Sequence, residues 1–187
     1  MVGKNLADPS VHESVQKSIF AQVHSPICVF LSYVSEDRDE VKKIGDYIRS
    51  AGFNIYMDIF DNKLQQAVKS GDPAAITVSI EKGLSVSTHV MCIVSEDTVQ
   101  SWWVPYEIGY GKNASKKLST LTLKNTVTIP AYLEITRLIR GTRSLNDYLK
   151  EISCTHHILL ESTNSFINQN QYSKVYHPLD SVLNWKE

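Results

Sequence analysis

Three short apolar runs, separated by amphipathic stretches, constrain the fold of this chain more than any other feature of its sequence. They are "ICVFLSY" at 27–33, "FNIYM" at 53–57 and "THVMCIVS" at 88–95. Each run is rich in β-branched and aromatic residues and lacks the polar–apolar alternation of a strand with one wet face. Such runs predict parallel strands in a sheet that helices cover on both faces.

The segments between these runs have the spacing of helices. Residues 35–52 carry apolar side chains on one helical face and end at a glycine. Residues 71–84 begin with Asp72, a good N-cap, and with Pro73 at the first helical position. We predict a polar connecting loop over 59–71.

The same alternation continues through the second half of the sequence. A helix is predicted to begin near Trp102, because Pro105 is tolerated only in a first helical turn. Two further strands are predicted at 118–123 and 127–133, and another helix at 144–152. This order predicts an α/β fold, a doubly wound, flavodoxin-like parallel five-stranded sheet with helices on both faces.

The chain of 187 residues is long enough for one well-buried domain and an extension. We predict a flexible segment and a short helix over 1–24, the α/β domain over 25–152, and a C-terminal extension over 153–187 that packs on the domain. A short helix is predicted to start at Pro178 within that extension.

Charge and composition narrow the classes of partner. The net charge of −1 gives no basic surface of the kind that nucleic acid or an anionic membrane requires, so neither is expected as a partner. The three cysteines form no Cys-x-x-Cys pair and no secretory signal is visible, which favours a cytoplasmic protein. His156, His157 and His177 lack carboxylate or cysteine neighbours at ligand spacing, so no metal site is expected.

The segment "SWWVPYEIGYGK" at 101–112 raises the question of function. In a helix, Trp103 and Glu107 share a face, and the helix dipole favours the ionised carboxylate near the N-terminus. Taken alone, the segment is more typical of a core tryptophan beside an exposed glutamate than of a functional site. Trp102, one residue off this face, is predicted to pack inward.

The glycines of this segment also fit a phosphate-binding fingerprint, G-x-G-x-x-A, from Gly109 to Ala114. The pattern lies inside the predicted helix and does not follow a strand. Its backbone donors are therefore already used within the helix. We interpret Gly109 and Gly111 as small residues that let the helix approach its neighbours closely.

Several blocks in a fixed order carry a family resemblance. "VFLSYVSEDRDEV" (29–41), the strand that ends at Asp58, the segment 70–108 with its W-x-x-x-E pattern, and "TIPAYLE" (128–134) together resemble a Toll/interleukin-1 receptor (TIR) domain. The resemblance covers about 27–152 and is similar to the bacterial and plant type.

This resemblance implies an enzyme that cleaves the nicotinamide–ribose bond of NAD+, yielding ADP-ribose or a cyclic ADP-ribose isomer. The catalytic glutamate of the family falls on Glu107. NAD+ is then the substrate, with no separate cofactor and no metal. The substrate contacts of the family fall on Ser32, Tyr33, Asp58, Trp103 and Tyr106.

The resemblance also implies self-association through the TIR domain. A single-domain chain of this size resembles the signal-making component of Thoeris anti-phage systems, whose nucleotide product is sensed by a separate effector protein. Alternative hypotheses are a non-enzymatic TIR scaffold, an NAD+-depleting virulence effector and an enzyme similar to nucleoside deoxyribosyltransferases.

Overall fold

The computed structural model describes residues 2–8, 11, 27–58, 61–126, 128–155, 160–171 and 176–184. Within these residues, five parallel strands form one sheet in the order β2-β1-β3-β4-β5. The strands are β1 (Cys28–Ser32), β2 (Asn54–Tyr56), β3 (His89–Val94), β4 (Lys117–Thr122) and β5 (Arg137–Ile139). The predicted parallel five-stranded sheet is confirmed.

The helices of the described residues connect and follow these strands. They are α1 (Arg38–Ser50), α2 (Asn62–Ser70), α3 (Pro73–Val86), α4 (Trp103–Asn113), α5 (Thr142–Thr155) and α6 (Leu160–Gln171). The start of α3 is as predicted, since the Asp72 side chain accepts hydrogen bonds from the backbone N–H groups of Ala74 and Ala75 at 3.0 and 3.1 Å. None of the described helices is both long and apolar enough to cross a membrane.

Alternating side chains of the strands build a core on each side of the sheet. On β1, Val29 and Leu31 belong to one buried cluster, which includes residues of α1 and α5. Cys28 and Phe30 belong to the other, which includes residues of α3 and α4. Helices therefore cover both faces, which explains why the first three strands are mostly apolar and lack polar–apolar alternation.

The loop predicted over 59–71 is wrong, because residues 62–70 form α2. The buried Asp61 side chain caps this helix by accepting hydrogen bonds from Lys63 N and Leu64 N at 3.0 and 3.2 Å. Gly71, at φ 64° in the left-handed region that favours glycine, ends it. The helix buries little apolar surface, chiefly Leu64 and Ala67, so its sequence is mostly polar.

Two other predicted elements are also corrected. Of the strand predicted at 127–133, residues 131–133 form a 3-10 turn, and the fifth strand lies later, at Arg137–Ile139. Pro130 has no N–H to donate to a sheet and precedes that turn. The segment after Pro178 forms turns instead of a helix. The helix predicted near the N-terminus falls almost wholly outside the described residues.

The described parts of both terminal segments lie against the sheet. Gly3 N donates to Arg49 O at 2.7 Å, and Asn5 forms an isolated bridge with Ile55 of β2. Near the other end, Leu179 and Leu183 enter the core cluster on the α1 side. The boundaries at 24/25 and 152/153 remain predictions.

A buried histidine joins the C-terminal segment to the core. His177 Nδ1 accepts the N–H of Leu179 at 3.1 Å, so the neutral ring carries its proton on Nε2 and faces the Tyr47 hydroxyl at 3.2 Å. That hydroxyl donates to Asn146 Oδ1 at 2.7 Å. Burial lowers the pKa of His177, and the charge of Asp180 opposes this effect.

We expect this histidine to make the protein less stable in mild acid. Its folded pKa lies below the unfolded value, so its contribution is complete above about pH 6.5 and is lost as the pH falls towards the folded pKa. Between pH 7 and pH 5 the free energy of unfolding should fall by about 1 kcal/mol more in wild type than in His177→Gln. Urea unfolding at both pH values measures this, and equal losses would contradict it.

Candidate active site

The candidate site lies where the strand order changes direction. The chain passes from β1 to β2 on one side and continues to β3 on the other, so the carboxyl ends of β1 and β3 flank a crevice. A cavity of about 480 Å³ opens at this edge of the sheet. Its lining includes Tyr33, Arg38, Asp58, Trp102, Trp103 and Glu107.

Glu107 of α4 is buried at the bottom of this arrangement, with only 8% of its surface exposed. Val104 and Ile108 hold α4 on the sheet, and this register turns Glu107 towards the end of β1. There the Ser32 hydroxyl donates a hydrogen bond of 2.5 Å to Glu107 Oε2. Ser32 continues the Cys28–Phe30 face of β1, which explains why its side chain meets α4.

Burial determines the protonation of Glu107. It raises the pKa of this carboxyl to about 8; the hydrogen bond from Ser32 acts in the opposite direction, and the charge of Asp58 adds to the rise. The expected effect of the helix dipole, which favours the ionised carboxylate, is thus opposed by burial, the largest influence on this pKa. Burial therefore favours the protonated form of Glu107, and an approaching cation favours the ionised form.

Tyr33 and Asp58 form a second polar pair on the same rim. The Tyr33 hydroxyl donates a short hydrogen bond to Asp58 Oδ1. Burial, followed by the charge of Asp58, raises the pKa of Tyr33, while the charge of Arg38 lowers it. Tyr33 thus remains a neutral donor and holds the Asp58 side chain beside the cavity.

The two tryptophans have different environments, and the environment of Trp102 is the opposite of the predicted one. Trp103 lines the cavity, is 36% exposed and packs edge-on against Tyr106 at 6.1 Å between ring centroids. Trp102 is 91% exposed, so the prediction that it packs inward is wrong. It precedes the first turn of α4, where Ser101 caps Val104 N at 3.2 Å and Val104 takes the inward position.

Tyr106 is the predicted site residue that the structure does not bring to the cavity. Its hydroxyl donates to Glu81 Oε1 of α3 at 2.6 Å. This bond ties α4 to α3. The structure brings the other five predicted residues together around the crevice, by direct contact or as cavity lining.

Two parts of the cavity were not predicted from the sequence: its roof, formed by residues of α2, and one cationic side chain. Gln65 and Val68 of α2 line the cavity, and Arg38 at the start of α1 is the one Lys or Arg among its described lining residues. Asp61 as an N-cap, with Gly71 as a stop, was the signal for this roof. Position 38, five residues past the end of a predicted strand, was the signal for the cation.

The glycine pattern of α4 has a packing role, at least at Gly111. A Cβ atom there would lie 3.1 Å from Val90 and 3.2 Å from Leu118, so the interpretation of close approach is confirmed at this position. At Gly109 a Cβ would meet nothing within 4 Å, and the interpretation is wrong there. Both glycines lie inside α4, away from any strand-to-helix turn.

The chemistry of the site is that of oxygen donors and aromatic rings. Among the described residues, no group of three or more His, Cys, Asp or Glu side chains is placed to hold a metal ion. The cavity instead combines a buried carboxyl, a tyrosine–aspartate pair, two tryptophans and one arginine. Such a set suits an organic ligand with aromatic and charged groups.

A doubly wound parallel sheet with a ligand-sized crevice at its switch point places the chain among the doubly wound α/β domains. The family model that describes the TIR domain matches residues 29–152. The chain therefore belongs to the TIR domain family, as its sequence blocks predicted.

Individual relatives are more distant. The chain is 27% identical over 94 residues to a protein of Bacillus cereus (strain MSX-D12) described as a probable 3′ cyclic ADP-D-ribose synthase, ThsB′. The match covers 50% of this chain and 47% of that protein, so the chain spans about half the length of this curated relative. A crystal structure of the TIR domain of the Toll-related receptor TRR-2 from Hydra magnipapillata matches 75% of this chain and 97% of its own, with 15% identity and a TM-score of 0.48.

Proposed function

We propose that this chain is a TIR enzyme that cleaves the nicotinamide–ribose bond of NAD+, with Glu107 as its catalytic residue. One observation carries the proposal: a carboxyl with a raised pKa is buried at the switch point, faces a cavity of about 480 Å³ and is held by Ser32. The name of the Bacillus relative, a probable cyclic ADP-ribose synthase, supports the substrate class.

The reaction builds positive charge where the carboxylate lies. The bond between ribose C1′ and the nicotinamide nitrogen breaks with both electrons passing to nitrogen, so nicotinamide leaves as a neutral molecule. The ribose becomes oxocarbenium-like, a state that a fixed carboxylate stabilises. C1′ then bonds to water or to a nucleophilic atom of the same molecule, and Glu107 accepts the proton that this nucleophile loses.

The electrostatics of the cavity favour entry of the nicotinamide end. Besides Glu107, the acidic residues Glu36, Asp58 and Asp97 line the cavity, so a cationic ring is attracted into it. A cation beside Glu107 favours ionisation and offsets the effect of burial. Binding of substrate thus produces the ionised carboxylate that the reaction needs.

Arg38 suits the phosphate groups of NAD+. It is exposed at the rim, and its charge reaches Tyr33. A guanidinium binds phosphate oxygens by two parallel hydrogen bonds, whereas the acidic lining would repel them.

We expect Arg38→Gln to raise the KM for NAD+ about tenfold with little change in kcat, which corresponds to loss of one charged hydrogen bond on an exposed surface. Lys43→Gln, on the exposed face of α1 and outside the cavity, is the matched control. Steady-state kinetics with NAD+ measures the effect. A kcat loss with unchanged KM, or equal effects of both substitutions, would contradict this role.

The product and the biological role follow as further parts of the proposal. Attack by an atom of the same molecule gives a cyclic ADP-ribose isomer, and attack by water gives ADP-ribose. We propose the cyclic product as a signal in anti-phage defence, made by self-associated TIR domains and sensed by a separate effector protein. The exposed Trp102 beside the cavity mouth is a suitable contact for a second copy.

The test is incubation of the purified chain with NAD+, alone and with extract of phage-infected cells, with chromatography of nicotinamide and of the nucleotide product. Release of nicotinamide by wild type, and its loss in Glu107→Gln, is the expected result. Equal release by both proteins would remove Glu107 from the mechanism. No release in any condition, together with binding to a second TIR domain, would establish the scaffold instead.

A further inference from the structure

Two exposed carboxylates lie at the rim of the cavity, on neighbouring turns. Glu36 belongs to the 3-10 turn Ser35–Asp37 that follows β1, and Asp97 belongs to the 3-10 helix Glu96–Gln100 that follows β3. Because β1 and β3 are adjacent in the sheet, these two turns flank the same crevice. Both residues line the cavity and both are exposed, so the open part of the lining carries negative charge from each turn.

The backbone of the second turn is fixed by its own side chains. Ser95 and Thr98 form a capping box, in which Ser95 Oγ accepts the N–H of Asp97 at 3.2 Å and Thr98 Oγ1 accepts the N–H of Ser95 at 3.0 Å. Thr98 is buried, whereas Asp97 stays exposed beside the cavity. The turn therefore holds the Asp97 carboxylate at the rim without using it as a cap.

The charge balance of the cavity lining disfavours an additional phosphate group. Asp58 and Glu107 each accept a hydrogen bond from a neighbouring hydroxyl, and Glu36 and Asp97 add two exposed carboxylates. Against these acidic groups, Arg38 is the one Lys or Arg among the described lining residues. In the proposed binding mode the diphosphate of NAD+ uses this arginine. A further phosphate would therefore meet carboxylates and no second described cation.

The dinucleotides NAD+ and NADP+ differ by one phosphate, on the 2′ oxygen of the adenosine ribose. In dinucleotide sites of doubly wound folds, an acidic side chain binds the free 2′-hydroxyl, and an arginine accommodates the 2′-phosphate. With nicotinamide at the buried Glu107 and the diphosphate at Arg38, the adenosine half must extend towards the exposed rim. That is where Glu36 and Asp97 lie.

We propose that Glu36 and Asp97 are specificity-determining residues that select NAD+ against NADP+ by repelling the 2′-phosphate. This repulsion needs no direct contact, because like charges act on each other over about 8 Å at physiological salt. The inference deepens the proposed function and rests on it for the orientation of the ligand.

The first test is calorimetry of NAD+ and NADP+ on Glu107→Gln protein, which measures binding without turnover. We expect NAD+ to bind about tenfold or more tightly than NADP+. Adding Glu36→Gln and Asp97→Asn together should bring the two affinities to within about threefold. Adding Asp39→Asn and Glu96→Gln instead is the matched control, because it removes the same charge from neighbouring exposed positions that do not line the cavity. This control should keep the full preference for NAD+.

The second test is the salt dependence of the same preference. Raising NaCl from about 25 to about 500 mM should lower the preference several-fold where Glu36 and Asp97 are intact, and should hardly change it where both are replaced. Equal affinities with the rim intact, no binding of either dinucleotide, or a preference that survives both salt and the rim substitutions would overturn the inference. If wild type releases no nicotinamide, the proposed function fails, and the two affinities still decide whether the rim selects NAD+.

Discussion

Replacing Glu107 with glutamine is expected to lower nicotinamide release by about 100- to 1,000-fold and, in the same protein, to raise the free energy of unfolding at pH 8 by about 2–4 kcal/mol. Glutamine keeps the shape of the side chain and can still accept the hydrogen bond from Ser32. It removes the negative charge that stabilises the reacting ribose. It also removes a carboxyl whose ionisation is opposed by burial.

The pH dependence of this stability follows from the direction of the pKa shift. Burial raises the pKa of Glu107 from 4.5 to about 8 in the folded protein. Below about pH 4.5 the carboxyl is protonated in both states and contributes nothing. As the pH rises above 4.5, the unfolded chain releases the proton first, so the folded state loses stability, and this loss is complete above about pH 8.

Urea unfolding at pH 5 and pH 8 measures the second effect. The variant should be close to wild type at pH 5 and clearly more stable at pH 8. Glu81→Gln is the matched control, because Glu81 lies on α3, bonds Tyr106 and is absent from the cavity lining. If Glu107→Gln instead loses both activity and stability at pH 8, Glu107 supports the fold. Its burial would then not be an arrangement that costs stability for the sake of function.

The sequence predicted the central strands well because burial on both faces leaves a plain pattern. In β1 and β3 every residue is buried, so no polar residue interrupts either run apart from Ser32 and His89. The fifth strand was misplaced because it lacks such a pattern. Arg137–Ile139 is short and buries only its last residue, whereas the more apolar residues 131–133, just before it, form a 3-10 turn.

The sequence predicted most residues of the candidate site, but it did not predict their burial or their contacts. The four-residue spacing placed Trp103 and Glu107 on one face of α4, and both line the cavity. Spacing does not tell how the helix is rotated against the sheet, which decided that Glu107 is buried and Trp102 exposed. The bond between Tyr106 and Glu81 depends on the packing of α4 on α3, which no local pattern contains.

The roof of the cavity offers a second large effect, at Asp61. This buried carboxylate caps α2 through two backbone N–H groups and accepts the Tyr56 hydroxyl at 2.5 Å. Asp61→Ala removes the cap, worth about 1 kcal/mol, and leaves a buried hydroxyl unpaired, at a further cost of about 1–3 kcal/mol. We expect a total loss of about 3 kcal/mol in the free energy of unfolding.

Asp72→Ala separates these two contributions. Asp72 caps α3 through two backbone N–H groups in the same way, but it is exposed and no described hydroxyl is shown to bond to it. This control should lose only about 1 kcal/mol, and equal losses in the two variants would show that the Tyr56 bond contributes nothing. Because Leu64, Gln65 and Val68 of α2 line the cavity, Asp61→Ala should also weaken NAD+ binding, measured by calorimetry on a Glu107→Gln background. The loss of binding should be smaller in Asp72→Ala, because that variant keeps the Tyr56–Asp61 bond. The polar stretch that was predicted as a loop would then connect the stability of the domain to ligand binding at its site.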